Sequence, residues 1–249
     1  MSTDFLTKLN RFQATGLHFL ASVVVLAIIF SFIKFVWYPG GLFFAANGFD
    51  LLKILIAVDL ILGPLIMLII FNPKKKSIKF DVSAILICQL VFLGYGLWSL
   101  YTVRPAYIAF VENQFTLVKA NEIESENLAK VEDMQFGSVP LLGPKFVGTK
   151  MPDSKEKRDE LLFASFENLG IQNFPQYFVS LDKVTAKILA ASQPLEKLDL
   201  NENQRESLAK LNLEMKAQAR ELLFCPLTIK DKRLFVAVDA TNNTILGIY

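Results

Sequence analysis

The sequence predicts a membrane protein of three transmembrane helices, followed by an α+β domain outside the membrane with antiparallel strands at both ends and helices between. Three observations predict it. Apolar runs over about 16–37, 51–71 and 82–102 are each long enough, at about 1.5 Å per residue, to cross roughly 30 Å of hydrocarbon. Lys74, Lys75, Lys76 and Lys79 lie between the second and third runs, and short loops rich in Lys and Arg stay on the cytoplasmic side. Beyond Tyr101–Arg104 the long apolar runs stop, and short strand-like and helical spacings replace them.

Charge divides the chain at the same place. Residues 1–103 hold eight Lys and Arg against four Asp and Glu, whereas residues 104–249 hold eighteen against twenty. The basic excess therefore belongs to the membrane domain, 1–103, where it sets orientation. The domain 104–249 is slightly acidic and shows no basic cluster of the kind a nucleic-acid reader needs. It is long enough to bury its own core.

Residues 1–12 form a short amphipathic start with Lys8 and Arg11. The first span ends in Lys34-Phe-Val-Trp37-Tyr38-Pro39 with no small-residue cleavage site, so it reads as an uncleaved span and not a signal peptide. Trp37 and Tyr38 suit an aromatic belt at the membrane interface, and Lys34, Lys53 and Arg104 suit snorkelling anchors. Residues 39–50 lack Lys and Arg, which places them outside, and their apolar side chains suggest a loop lying along the interface. The lysines return the second span to the cytoplasm, where anionic lipid can add to their hold. The third span leads out again.

In the outer domain, 104–111 and 115–118 read as a hairpin. Helical spacing follows over 122–130, 153–169, 181–191 and 202–223, the last capped by Asn201. The Gly- and Pro-rich 131–152 reads as loop. Three short strands from Leu227 to Tyr249 close the chain as a meander.

Asp59 is the sharpest candidate for function, about eight residues or roughly 12 Å below the outer surface. A carboxylate there is costly in hydrocarbon and faces the bundle interior by default. Pro64 has no N–H, so it leaves the carbonyl of Leu60 without its helical partner beside that acid. Gly63 and Gly94 allow helices to approach closely, and Tyr95 is placed at a similar depth as a hydrogen-bond partner for Asp59. Three uses stay open: a neutral acid locking the bundle, a contact for a polar group on another membrane helix, or an ion site. The chain has one histidine, His18, read at the inner edge of the first span, and two cysteines, Cys88 and Cys225, in different domains. Zinc sites, a Ser-His-Asp arrangement and a disulfide framework are all disfavoured by that inventory, and no phosphate-binding loop is present. No cofactor or metal is expected.

Several stretches are familiar. Asp59-Leu-Ile-Leu-Gly63-Pro64-Leu65, Phe71-Asn-Pro-Lys74-Lys75-Lys76-Ser-Ile-Lys79-Phe-Asp81, Tyr95-Gly96 and Arg104-Pro-Ala-Tyr-Ile-Ala-Phe110, with Trp37-Tyr38-Pro39, resemble the type IV pilin accessory proteins of the TfpX/TfpZ type. The likeness is dense over about 10–115 and thinner beyond. It implies a multi-pass protein of the bacterial inner membrane, N-terminus in the cytoplasm and C-terminal domain in the periplasm. It implies a non-enzymatic, chaperone-like accessory factor that binds the major pilin and promotes its stability or its incorporation into the pilus. The pilin's membrane helix or periplasmic head would be the partner, with Asp59, Gly63, Pro64 and Tyr95 as the candidate helix contact, and with Lys74–Lys76, Lys79, Trp37 and Tyr38 as topology and lipid anchors. The alternatives are a small membrane enzyme or transporter subunit with its site at Asp59, or a membrane-anchored scaffold or sensor unrelated to pili.

Overall fold

The computed structural model describes residues 8–200, 202–229 and 232–249. Its helices are α1 (Arg11–Phe32), α2 (Leu42–Ala45), α3 (Gly48–Ile56), α4 (Gly63–Ile70), α5 (Ile78–Thr102), α6 (Ser125–Leu128), α7 (Lys155–Ser165), α8 (Thr185–Ala191) and α9 (Glu202–Ala217). Its strands are β1 (Pro105–Val111), β2 (Gln114–Lys119), β3 (Lys145–Thr149), β4 (Phe178–Val179), β5 (Leu222–Ile229), β6 (Lys232–Asp239) and β7 (Thr244–Ile248). The chain forms two compact units: Met1–Lys34 with Asn47–Thr102, and Phe35–Ala46 with Val103–Tyr249.

Among the described residues, three helices are long and apolar enough to cross a membrane: Arg11–Trp37, whose last three residues belong to the second unit, and Gly48–Ile70 and Ile78–Thr102 in the first. The first begins five residues before the apolar run does, because Asn10 caps it. The Asn10 side chain accepts from the Gln13 N–H at 2.8 Å, and the Gln13 side chain accepts from the Asn10 N–H at 3.0 Å, a reciprocal capping box. The second is interrupted by a π-helical segment, Ala57–Leu62, immediately before Pro64. There the Gly63 N–H reaches back five residues to the Val58 carbonyl, the wider turn by which a helix absorbs a proline. Near the lysine turn, Ala14, Met67, Phe71, Ile78, Val82 and Ile85 pack into one apolar cluster drawn from all three spans.

The second unit is built on a mixed seven-stranded sheet in the order β4-β3-β1-β2-β5-β6-β7. Strands do stand at both ends of the segment, but β1 pairs β3 in parallel and β2 pairs β5 in parallel, so the sheet is not purely antiparallel. β3 lies in the stretch that sequence alone reads as loop; it is a five-residue strand hidden among glycines and prolines. β1 is buried along nearly its whole length, as suits a central strand covered on both faces. Tyr107 on β1 packs edge-on against Phe178 at 4.9 Å and donates its hydroxyl to the Ser138 carbonyl at 2.9 Å; burial pushes its phenol up to about 12. A second cluster, with Leu208, Phe224 and Phe235 at its centre, lies under α9. Asn201, the expected cap of α9, lies outside the described residues, as does the turn at 230–231.

The segment Phe35–Ala46 belongs to this second unit, and its apolar side chains divide: Phe35 and Phe44 are exposed, as an interfacial loop would have them, while others pack inward. Leu42 and Phe43 are fully buried, the Gly41 N–H donates to the Ile248 carbonyl at 3.2 Å, and Lys232 Nζ donates to the Phe44 carbonyl at 2.8 Å. The segment thus covers part of the open edge of β7, which would otherwise present unpaired backbone groups. Gly40, at φ +61° and pressed against the Ile248 carbonyl, makes the turn that no other residue fits.

Candidate functional site

The polar centre of the membrane unit is assembled from one residue stripe on each of two helices and one acid on the third. His18, Ala21, Ser22 and Val25 of α1 are spaced to share one helix face, as are Leu86, Gln89, Leu90 and Leu93 of α5. Between them stands Asp59, on the π-helical segment. Together these residues line a half-open cavity of about 140 Å³. Asp59 is 6 % exposed and His18 8 %. Asp59 Oδ2, His18 Nε2 and the hydroxyl of Thr15, one turn before His18, are buried without a hydrogen-bond partner, while the His18 side chain does hydrogen-bond the Gln89 side chain.

Gly63 makes this convergence possible. A Cβ at that position would displace the Gln89 amide and lie 2.9 Å from His18 Nε2, so glycine lets both side chains reach the second span there. The π-helical turn before Pro64 carries Asp59 on its inner side and sets the acid into the bundle. Such π-turns in membrane helices recur at functional sites because they re-aim a side chain while keeping the backbone bonded.

Of the residues singled out from sequence, Asp59, Gly63 and Pro64 are all buried in this centre. Tyr95 is not. It is 66 % exposed and stands beside Trp98, with ring centroids 6.2 Å apart. Six residues beyond Gln89 on a helix of 3.6 residues per turn, Tyr95 falls on a different face. Gly94 has open space around it, and the close approach is made at Gly96, where a Cβ would collide with the Leu55 side chain. The position expected for Tyr95 is taken by His18 and Gln89, which sequence reasoning did not assign to the site. The signal for His18 was present: the Asn10–Gln13 capping box starts the helix early enough to put His18 two turns inside it.

The candidate anchors divide. Lys74, Lys75, Lys76 and Lys79 are exposed at and just beyond the turn between α4 and α5, with Lys75 paired to Asp81 at 2.6 Å. Trp37 and Tyr38 are buried in the second unit. The Trp37 indole donates to the Leu141 carbonyl at 3.0 Å and the Tyr38 hydroxyl to the Val103 carbonyl at 3.4 Å; burial pushes that hydroxyl up to about 12. Arg104 is buried too, donating through Nε and Nη2 to the Pro140 carbonyl at 3.1 and 2.9 Å. Cys88 is exposed on α5. Cys225 is fully buried in β5, and burial pushes its thiol up to about 11.

No family model matches the chain, and no solved structure does. Three proteins of Dichelobacter nodosus are similar to it. The fimbrial assembly protein of serogroup I is 28 % identical over 247 residues, covering 95 % of this chain and 93 % of that protein. The fimbrial assembly protein of serogroup E1 is 27 % identical over 241 residues with the same coverage. The fimbrial assembly protein of serogroups C1 and C2 is 32 % identical over 118 residues, 47 % of this chain and 90 % of that protein.

Proposed function

The chain belongs to the family of fimbrial assembly proteins, of the type IV pilin accessory kind, and from that premise we propose that it is a non-enzymatic accessory factor of pilus biogenesis that binds the major pilin in the bacterial inner membrane. The observation that carries the binding site is the buried Asp59 Oδ2, which has no hydrogen-bond partner, at a cavity it shares with His18 between the spans. A polar atom without a partner in hydrocarbon costs free energy until something bonds to it. A polar group on the pilin's membrane helix would bond to it when the two sets of helices pack. The protein then works by holding pilin in an assembly-competent place, with no chemistry performed on it.

Orientation follows the lysines. The exposed cluster Lys74–Lys76 supports a cytoplasmic turn between the second and third spans, hence a cytoplasmic N-terminus and a periplasmic second unit. That unit is positioned to meet the pilin head.

The test is co-purification of the tagged, detergent-solubilised full-length protein with the major pilin of its own host. Pilin is expected to come with the wild type and to be recovered several-fold less with His18→Leu or Asp59→Leu. Recovery no higher than with an unrelated multi-pass protein would end the pilin reading. Equal recovery with wild type and both variants would move the contact away from this cavity.

A further inference from the structure

Residues Met134 to Pro144 contain no charged side chain, and the tip of this loop exposes two leucines, Leu141 at 60 % and Leu142 at 75 %. The loop is nevertheless held firmly. Three of its carbonyls, at Ser138, Pro140 and Leu141, accept hydrogen bonds from the side chains of Tyr107, Arg104 and Trp37. Gly143, at φ +72°, lies so close to the Val36 carbonyl that a Cβ would stand 2.6 Å from its oxygen. A loop bonded in this way does not fold its leucines inward. They are held out on purpose-built support.

We propose that Leu141 and Leu142 are a lipid anchor that inserts into the bilayer and seats the second unit on it. The level is fixed by Trp37, the last residue of an apolar helix, Arg11–Trp37, that is long enough to cross the membrane. A loop whose backbone accepts from the Trp37 indole, and whose next turn rests on Val36, lies at that boundary. Trp37 and Tyr38, the residues whose chemistry suits the interface, are themselves buried, and the apolar groups this loop exposes beside them are the two leucines. The loop is also prepared for a medium poor in water. Carbonyls that would otherwise require solvent are bonded to side chains, and Pro140 and Pro144 have no N–H to satisfy. Exposed Lys145 follows directly, placed to meet lipid phosphate as the leucines enter. The partner is acyl chain beneath a headgroup layer, and the proposal rests on the first span crossing the membrane, not on pilin binding.

The experiment uses the full-length protein in phosphatidylethanolamine–phosphatidylglycerol vesicles, with Leu142→Cys labelled by the fluorophore NBD. Cys88 is replaced by Ser; Cys225 is fully buried and stays. The expected result is a blue-shifted emission, quenching at least twofold by lipids carrying a nitroxide near the headgroup, and protection from aqueous iodide. Full quenching by iodide without response to the nitroxide lipids would overturn the anchor. Protection that arises only when pilin is added to the vesicles would overturn it as well, assigning the leucines to a protein partner.

Discussion

Two carboxylates, one in each unit, are buried to almost the same degree and treated in opposite ways. Asp239, 1 % exposed at the end of β6, is surrounded by donors: Arg220 through Nε at 2.6 Å and through Nη2, the Asn242 amide at 2.8 Å, and the backbone N–H groups of Thr241 and Asn242 at 3.0 and 3.3 Å. Asp59, 6 % exposed in the membrane unit, leaves Oδ2 without any. Burying a charge is tolerable when the surroundings are organised to bond it, and Asp239 organises the β6–β7 turn in return. An acid buried with an unbonded oxygen contributes nothing comparable to folding. Its presence points to a requirement outside the isolated chain, which is why Asp59 and not Asp239 is the candidate contact.

The largest effect expected is from removing the paired acid. Asp239→Ala should destabilise the second unit by about 3 kcal/mol, because it strands Arg220 and unties the turn. Loss of hydrogen-exchange protection in β6 and β7 of the detergent-solubilised full-length protein would show it. A change below about 0.5 kcal/mol would mean that Asp239 is as dispensable to folding as the comparison makes Asp59. Next is Gly63→Val, which drives a branched side chain into Gln89 and His18 and should cost about 1–2 kcal/mol through displacement of both side chains from the centre. Gly94→Val, with open space around it, is the matched control. If both variants melt together with the wild type, the three spans do not meet at Gly63.

The same comparison shows what could be read from sequence. Three helices long enough to span a membrane follow from length and hydropathy, since hydrocarbon thickness leaves few alternatives for runs of this size, and the strand-bounded C-terminal segment follows from its shorter spacings. Asp59, Gly63 and Pro64 stand out for the same reason: each is anomalous in an apolar helix. What converges on them does not. Placing Tyr95 beside Asp59 uses depth alone, whereas contact also requires the right helix face, and Gln89 holds it. His18 looks like an edge residue while the helix is counted from Gly16, and moves inside once the Asn10–Gln13 cap is recognised. The segment 39–50 reads as interfacial because apolar residues beside a span have two available partners, lipid and protein, and Leu42 and Phe43 take the second. Only the position of β7 decides between them, and that strand lies about 200 residues later in the chain.

Acid tests the paired carboxylate without mutation. Desolvation alone would raise the Asp239 carboxyl, but the hydrogen bonds from Arg220, Asn242 and the turn N–H groups outweigh it and hold the group below its ordinary value. The folded state thus releases this proton more readily than the unfolded chain does. Its stabilisation is complete above the unfolded value of about 4 and is lost as pH falls through the lower folded value. Urea titrations of the second unit in the full-length protein should show a fall in stability below about pH 4 that Asp239→Asn reduces. An unchanged acid limb in that variant would mean that other carboxylates carry the whole effect.

The smallest change in stability, and the sharpest test of the comparison, is Asp59→Leu. Replacing a buried acid that leaves an oxygen unbonded by an apolar side chain of similar size is neutral or stabilising by up to about 1 kcal/mol, since no partner is orphaned at Oδ2 and a desolvated polar atom is removed. Thermal unfolding in detergent should therefore show a melting temperature equal to or slightly above wild type, while pilin recovery from host membranes falls. The two readouts moving apart is the signature of a residue kept for a partner. A loss of about 2 kcal/mol or more, of the kind expected for Asp239→Ala, would make Asp59 a lock of its own bundle, and the unbonded oxygen would then need a bound water to account for it.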